Sequence, residues 1–194
     1  MDKILIIAAH PDDEVLGCGG LLAKYRGKGT RVVFVAEGTS CRFNSDEIND
    51  KHVTNKIAER NGFCVKSLST FGITDIKFYN YPCGRLDVTP IIDINKLIES
   101  EINDFKPQTV LTHSEFDNNN DHKIVYRSTM MATRPGIFIG LNKVISYEVP
   151  SSTEWSFSDV FQPNLFEVLE QKHIEKKWEA LKCYESEILP YPHP

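Results

Sequence analysis

Four side chains that bind metals or transfer protons occur within five positions near the start of the sequence. They are His10, Asp12, Asp13 and Glu14, with Pro11 directly after the histidine. Imidazole and carboxylate groups are common ligands of zinc, and they also serve as general acids and bases. One His–Asp pair could simply cap a helix, but three consecutive acids exceed what a cap needs. The cluster is therefore the first candidate for a catalytic site.

A second polar cluster follows much later in the chain and contains another histidine. It comprises Asp117, Asn119, Asp121 and His122. Two histidines and one carboxylate suit a catalytic zinc ion that keeps open positions, and the same donors also suit iron(II). We therefore predict that His10, Asp13 and His122 bind Zn²⁺ or Fe²⁺.

The remaining polar residues can be given roles around such a metal. Asp12, which is not needed as a ligand, is free to act as the general base that takes a proton from water. Asp121 can hold an imidazole in the right tautomer, and Asn119 can donate to a developing oxyanion. The alternative for this stretch is an Asx-rich turn that satisfies its own backbone. Arg42 and Arg85 are candidates for binding substrate hydroxyl groups or phosphate, although an arginine at the surface needs no such role.

The first cluster lies at a junction between two predicted elements. The apolar run Ile4–Ala9 is typical of a strand buried on both faces, and Pro11 ends it. A helix at 15–26 and a second buried strand at 31–36 follow. A strand, a helix and a strand in this order form a right-handed βαβ unit with a parallel sheet.

The later elements bring the second cluster to the same place. A strand at 108–112 leads into it, and the carboxyl ends of parallel strands meet at one edge of a sheet, so His10 and His122 are expected to share a crevice. The other predicted elements are helices at 46–61, 90–105, 122–133 and 171–187, one or two strands within 63–79, and a strand at 143–149. Together they predict an α/β fold, a Rossmann-like three-layer sandwich with a mostly parallel central sheet, as one domain spanning residues 1–194.

Composition excludes several classes of protein. Hydrophobic residues make up 41% and charged residues 25% of the chain, which is ordinary for a globular protein. The net charge of −5 argues against a nucleic-acid partner, which needs a basic face. No apolar run is long enough to span a membrane and no signal-peptide pattern is present, so we expect a cytoplasmic protein without a membrane partner. The five cysteines lack CxxC spacing, which favours reduced thiols over disulfides or a zinc knuckle.

The first cluster and its surroundings resemble the signature of the LmbE-like, or PIG-L, family of zinc deacetylases. The matching residues are Ala9-His-Pro-Asp-Asp-Glu14, with Gly17 and Gly19-Gly20 behind them. Further similarity is found in Asp117-x-Asn119-x-Asp121-His122, Arg134-Pro135, Arg85-Leu-Asp87 and Ser151-Ser-Thr-Glu-Trp155. The similarity runs from about residue 3 to the end of the chain, and the first two motifs together are highly specific.

The resemblance implies removal of the N-acetyl group from an N-acetylglucosamine-type sugar or its conjugate, with zinc as the cofactor. The implied zinc ligands are His10, Asp13 and His122. Asp12 would be the general base, and Asp121 would support a ligand. Arg42 falls in the loop where family members place an arginine near the substrate. The expected partner is a small N-acetylated amino sugar, and a homo-oligomer is compatible with this interpretation.

Two features depart from the family pattern. Well-studied members carry a histidine three residues before the last zinc ligand, where it helps to stabilise the oxyanion, whereas this chain has Asn119. The oxyanion donor and the general acid are therefore left open, and His193 or another late residue is a candidate. Members also often continue beyond a His-Pro pair, whereas this chain stops at His193-Pro194. We therefore expect a domain that lacks the C-terminal end of the family fold, as a natural short form or a truncated product.

Two other functions are compatible with the sequence. The βαβ start and Gly17-x-Gly19-Gly20 suggest a nucleotide-binding module, but these glycines follow the acids, and three carboxylates would repel a pyrophosphate. The second alternative is a sugar-binding homologue without catalytic activity, which Asn119 and the short C-terminus favour. Tight binding of a dinucleotide without metal would indicate the first alternative.

Overall fold

The residues that the structure describes form a central sheet of five parallel strands. The computed structural model describes residues 3–150, 152–157 and 160–188. The strands are β1 (Ile4–Ala8), β2 (Thr30–Ala36), β3 (Asp75–Tyr81), β4 (Thr109–His113) and β5 (Lys143–Tyr147). Their order across the sheet is β3-β2-β1-β4-β5, and each neighbouring pair is parallel. The predicted Rossmann-like α/β fold is confirmed, and the described sheet is parallel throughout rather than mostly so.

Helices cover both faces of the sheet. They are α1 (Asp13–Tyr25), α2 (Lys51–Ser69), α3 (Ile91–Phe105), α4 (Asn120–Ala132) and α5 (Gln171–Leu181), with short 3₁₀ helices at Ser40–Arg42, Leu86–Val88 and Thr153–Trp155. Ile6 and Ala8 of β1 pack with α1, α2 and α5, whereas Leu5 and Ile7 pack with α3 and α4. Because successive strand residues point to opposite faces, this alternation produces three layers. Within the described ranges, no helix is long and apolar enough to cross a membrane.

The strand order reverses between β1 and β4, because successive strands are added first on one side of β1 and then on the other. The chain runs outward from β1 to β2 and β3, then returns to the other side of β1 for β4 and β5. Ligands of open α/β sheets bind in the crevice outside the carboxyl ends of the strands at such a point. His10 follows β1 and His122 lies in the first turn of α4, just after β4. Both polar clusters therefore border the same crevice.

The segment from 63 to 79 differs from its prediction. α2 continues to Ser69 and β3 begins only at Asp75, so the first part of this segment is helix and not strand. Cys64 and Leu68 are four residues apart, which is helical spacing, and both are buried in the same core cluster as Ile6 and Ala8 of β1. The last helix also ends earlier than predicted, at Leu181.

Candidate metal centre and catalytic site

The turn between β1 and α1 holds two of the predicted metal ligands side by side. Oδ2 of Asp13 accepts the backbone N–H of His10 at 2.8 Å, which fixes the Asp13 carboxylate against the backbone of His10 across the turn. Asp12, between them, adopts φ 118° and ψ −30°, in a region that residues other than glycine rarely occupy. Backbone strain of this kind costs roughly 1–3 kcal/mol and is concentrated at functional sites.

The three predicted ligands come together in one buried group. His122 Nε2 lies 3.3 Å from His10 Nδ1 and 3.2 Å from Asp13 Oδ1, and His10 Nδ1 lies 3.5 Å from Asp13 Oδ2. Ligand atoms of a tetrahedral zinc site are about 3.4 Å apart, since zinc–nitrogen and zinc–oxygen bonds measure about 2.0–2.1 Å. The spacing of the three side chains therefore fits a metal ion of this size.

Two further carboxylates orient the histidines. His10 Nε2 lies 2.9 Å from Asp121 Oδ2, and His122 Nδ1 lies 3.1 Å from Asp117 Oδ2. Burial alone would raise the pKa of Asp117 and Asp121, but the hydrogen bonds from His122 and His10 lower it below its usual value. Both carboxylates are therefore ionised and accept hydrogen bonds from the imidazoles. Each imidazole must then donate outward and present the lone pair of its other nitrogen inward. Two lone pairs and the Asp13 carboxylate converge, which is a donor set that a cation completes.

The charge balance of this group also favours a cation. Burial alone would lower the pKa of His10, but Asp121 and Asp13 raise it to about 10. Burial likewise opposes ionisation of His122, whose pKa is raised to about 9 by Asp13 and Asp117. Without a metal, the two imidazoles therefore attract protons strongly. A divalent cation would satisfy the same negative potential and displace those protons.

His113, the last residue of β4, supports the ligands without joining them. Its Nε2 accepts the backbone N–H of Ala9 at 2.8 Å, and its ring stacks on His122 with centroids 4.0 Å apart. Burial and the neighbouring charge of His122 lower the pKa of His113 well below its usual value. We infer a neutral imidazole that packs behind His122 and limits its movement.

The Asp12 carboxylate is held by an arginine on α2. The Arg60 side chain donates to Asp12 Oδ2 at 2.8 Å and to the carbonyl of Pro11 at 2.9 Å, and it pairs with Glu187 at 2.5 Å. Burial raises the pKa of Asp12 to about 6, against the opposing charge of Arg60. A carboxylate with such a pKa can accept a proton near neutral pH and still be ionised beforehand.

A second buried acid lies behind Asp12. Glu14 accepts the backbone N–H of Asp12 at 2.9 Å and the hydroxyl of Tyr184 at 2.6 Å. Burial raises the pKa of Glu14 to about 8, and these hydrogen bonds oppose the rise. Glu14 thus fixes the strained backbone at Asp12 and connects it to the segment after α5.

Arg60 is the main site residue that the sequence analysis missed. The buried residues of α2 include Val53, Arg60, Cys64 and Leu68, which recur every four or seven positions. An arginine within such a stripe takes a position that is normally apolar, and this is the signal that identifies it. The sequence prediction ends this helix at 61 and so leaves out Cys64 and Leu68, which complete the buried stripe.

Arg60→Met is expected to destabilise the protein by about 3 kcal/mol, because it leaves the carboxylates of Asp12 and Glu187 without their partner. Deleting one member of a buried ion pair costs roughly 3–5 kcal/mol. The lower end applies, since the side chains of Asp12 and Glu187 keep 15% and 22% exposure. Urea denaturation measures the free energy of unfolding. The exposed control Arg134→Met should change it by less than about 0.5 kcal/mol, and an equally small change in Arg60→Met would contradict the prediction.

The two arginines predicted to bind substrate are both engaged within the protein. Arg42 donates to both oxygens of Glu187, at 2.9 and 2.8 Å, and its side chain is 52% exposed. Arg85 donates to the carbonyl groups of Ser40 and Phe43 at 3.1 and 2.8 Å, which joins the loops after β2 and β3. Contact of either arginine with substrate stays a prediction.

Asn119 lies at the start of α4 as its N-cap. Its Oδ1 accepts the backbone N–H of Asp121 at 2.9 Å, as the Asx alternative for this stretch anticipates. Oxyanion stabilisation by Asn119 stays a prediction that would use the amide nitrogen. His193, the other candidate donor, and Ser151 lie outside the described residues.

Asp117→Asn is expected to weaken metal binding roughly 10- to 100-fold, as loss of a group that orients a ligand usually does. The carboxamide can turn an N–H toward His122 Nδ1, so the imidazole loses the acceptor that directs its lone pair inward. Hydroxyls of Ser152 and Thr153, which contact Asp117 at 2.9 and 2.7 Å, can bond an amide equally well. Competition with a chromogenic chelator measures the Kd for Zn²⁺. The exposed control Asp46→Asn should keep the wild-type Kd, and the same result for Asp117→Asn would exclude this role.

Comparison with known proteins identifies a family and relatives to which this chain is similar. Residues 5–133 match the PIG-L family, described as GlcNAc-PI de-N-acetylase. A protein of Escherichia coli (strain K12), the uncharacterized deacetylase YaiS, is 30% identical over 187 residues, which cover 94% of this chain and 90% of that protein. The family match spans both polar clusters and therefore every predicted metal ligand.

Solved structures with the same fold include two complexes of deacetylases. One is a deacetylase from teicoplanin biosynthesis in complex with teicoplanin, with a TM-score of 0.76 and 15% identity over 98% of this chain and 90% of that chain. The other is the N,N'-diacetylchitobiose deacetylase of Pyrococcus horikoshii in complex with its inhibitor MPG, with a TM-score of 0.67 and 22% identity over 97% of this chain and 71% of that chain. At these identities the likeness concerns the fold alone. The match of residues 5–133 to the family and the 30% identity with YaiS are stronger evidence than the shared fold. They show that the chain belongs to the PIG-L (LmbE-like) family of deacetylases.

Proposed function

We propose that this deacetylase is a metal-dependent hydrolase that removes the acetyl group from an N-acetylglucosamine-type sugar or its conjugate. The observation that carries the proposal is the position of Asp12. Its carboxylate lies in the same turn as His10 and Asp13 and is held by a buried arginine. The N-acetylglucosamine conjugate in the family description supports the choice of sugar.

Three side chains would hold the metal. They are His10 through Nδ1, His122 through Nε2, and Asp13 through its carboxylate, with the spacing given above. Two nitrogens and one carboxylate suit Zn²⁺ and also Fe²⁺. When bound, the ion would act as a Lewis acid that polarises the acetamide carbonyl and makes water more acidic.

Asp12 provides the proton chemistry. Arg60 binds its Oδ2, which leaves Oδ1 to take the proton from the attacking water. Hydrolysis of the amide bond then needs a proton on the leaving nitrogen so that a free amine departs, and the proton held by Asp12 balances this step. Asn119 is proposed to donate through Nδ2 to the developing oxyanion, since its Oδ1 already caps α4.

Arg42 is proposed to bind substrate at the rim of the site. Because Glu187 accepts two hydrogen bonds from Arg42, a substrate hydroxyl or phosphate would have to take the place of that carboxylate. Arg85 is proposed to act at the same rim by holding the loops that flank it.

Release of a primary amine from acetylated sugars tests the proposal. The protein is stripped of metal with a chelator and reloaded separately with Zn²⁺ or Fe²⁺. It is then assayed against N-acetylglucosamine, its disaccharide and its glycoside conjugates, with an N-acetylated amino acid as the control substrate. We expect metal-dependent amine release from at least one sugar and none from the amino acid. Sugar binding without amine release under either metal would favour the non-catalytic homologue instead.

A further inference from the structure

Two cysteines lie next to the predicted metal site. Cys83, in the loop after β3, is 5% exposed, and its Sγ lies within 4.8 Å of ligand atoms of His10 and Asp121. Cys41, in the 3₁₀ helix Ser40–Arg42, is exposed to solvent, and the two thiols are near enough for each to shift the pKa of the other. Neither the predicted metal site nor the proposed hydrolysis uses these thiols.

The backbone around the two thiols is closely packed. A Cβ atom added to Gly84 would lie 3.2 Å from Cβ of Cys41, so only a residue without a side chain fits easily here. Both segments also share the carboxylate of Glu37, which accepts the backbone N–H groups of Ser40 at 2.9 Å and Cys83 at 2.8 Å. The two cysteines are therefore held as neighbours by the fold.

The loop that carries Cys83 also holds the partner of a predicted metal ligand. Asp121 accepts the backbone N–H of Gly84 at 2.6 Å and that of Leu86 at 3.2 Å, and it contacts His10 Nε2 at 2.9 Å. A displacement of Cys83 would consequently move the backbone N–H of Gly84, and through Asp121 it would change the position of the His10 ring.

We propose that Cys41 and Cys83 are an oxidation site, where peroxide forms a reversible disulfide that disturbs Asp121 and weakens metal binding by His10. The effect on the metal rests on the proposed function, whereas the formation of the disulfide does not.

The oxidation balances with hydrogen peroxide as the oxidant. The Cys41 sulfur attacks one peroxide oxygen, an S–O bond forms as the O–O bond breaks, and the leaving oxygen departs as water after protonation. The Cys83 sulfur then attacks the resulting sulfenic acid, the S–S bond forms as the S–O bond breaks, and a second water leaves with the remaining proton. Two thiols lose two electrons in total, and one peroxide gains them.

The surroundings explain why this pair would react before the other cysteines. Cys41 is exposed, and its contact with Cys83 lowers its pKa below the usual value, which favours the reactive thiolate. Burial raises the pKa of Cys18 and Cys64. These two, like Cys183, are also buried, so a small oxidant reaches Cys41 first.

Oxidation of zinc-loaded protein with hydrogen peroxide tests the proposal. Free thiols are alkylated after a fixed exposure, the linked peptides are identified by mass spectrometry, and the Kd for Zn²⁺ is measured with a chromogenic chelator. In the wild type we expect a Cys41–Cys83 link, a Kd raised roughly 10- to 100-fold, and recovery of both after treatment with a thiol reductant. Asp121→Asn without oxidant should raise the Kd to a similar extent.

Two variants separate the proposed site from general damage. Cys41→Ser should form no link and keep its Kd under the same exposure, whereas Cys183→Ser should behave as the wild type does. A wild type that forms no link, a link that leaves the Kd unchanged, or a Cys41→Ser protein that loses zinc equally would each overturn the proposal. The zinc content before oxidation tests the proposed metal site separately, and the peptide link tests the disulfide whether or not zinc is bound.

Discussion

Replacement of His122 by alanine is expected to abolish metal binding and to lower deacetylase activity at least about 1000-fold. Only His10 and Asp13 would remain as protein ligands, one fewer than catalytic zinc sites use. A metal ion contributes several kcal/mol to stabilisation of the transition state, and each 1.36 kcal/mol changes the rate tenfold. Elemental analysis of the purified protein and an assay of amine release measure the two effects.

The control for this variant is an exposed histidine outside the predicted ligand set. His52, near the start of α2, has a side chain that is 53% exposed, and His52→Ala should keep both metal and activity. Circular dichroism establishes that His122→Ala is folded, so that loss of metal can be assigned to the ligand. If folded His122→Ala retains one zinc ion per chain, then His122 is not a ligand.

Asp12→Asn is expected to keep the metal and to lose activity about 10²- to 10⁴-fold, the usual contribution of a general base. Asparagine has nearly the same shape, can still accept from Arg60, and tolerates positive φ about as well as aspartate does. The fold and the ligands at positions 10, 13 and 122 should therefore be unaffected. Zinc content and kcat, measured on the same preparation, separate the two effects.

The pH dependence gives a second measurement for the same residue. A base must be ionised to act, so wild-type activity should fall as the pH decreases through the pKa of Asp12, which burial raises to about 6. The residual activity of Asp12→Asn should lack this acid limb. Asp93→Asn, at an exposed position in α3, should match the wild type. Asp12→Asn turning over at the wild-type rate would remove Asp12 as the base.

The parts of the site that the sequence predicts are those fixed by local patterns. His10 and Asp13 follow a buried strand and begin a helix, and three residues suffice to place both side chains in one turn. His122 could be added because parallel strands end at a common edge. Predicting the position of His122 requires only the order of the helices and strands and not the details of side-chain packing.

The parts that could not be predicted depend on contacts between distant segments. Glu187 meets Arg42 and Arg60 across more than 100 positions of sequence, and no local pattern indicates such a pairing. Arg60 was within reach of pattern analysis, but only with α2 extended past Asn61 to include Cys64 and Leu68. The alternating residues after 62 favoured a strand, and burial of Cys64 and Leu68 in the core overrode that preference.

The backbone at Asp12 has a consequence for engineering this protein. At φ 118°, glycine would relieve backbone strain of roughly 1–3 kcal/mol, but it would also remove one of the two carboxylates that pair with the buried Arg60, so the relief of strain and the loss of the ion pair oppose each other. The same substitution deletes the carboxylate that the proposed reaction needs. Because the Asp12 carboxylate serves both the ion pair with Arg60 and the proposed reaction, libraries built to stabilise this enzyme should hold position 12 constant.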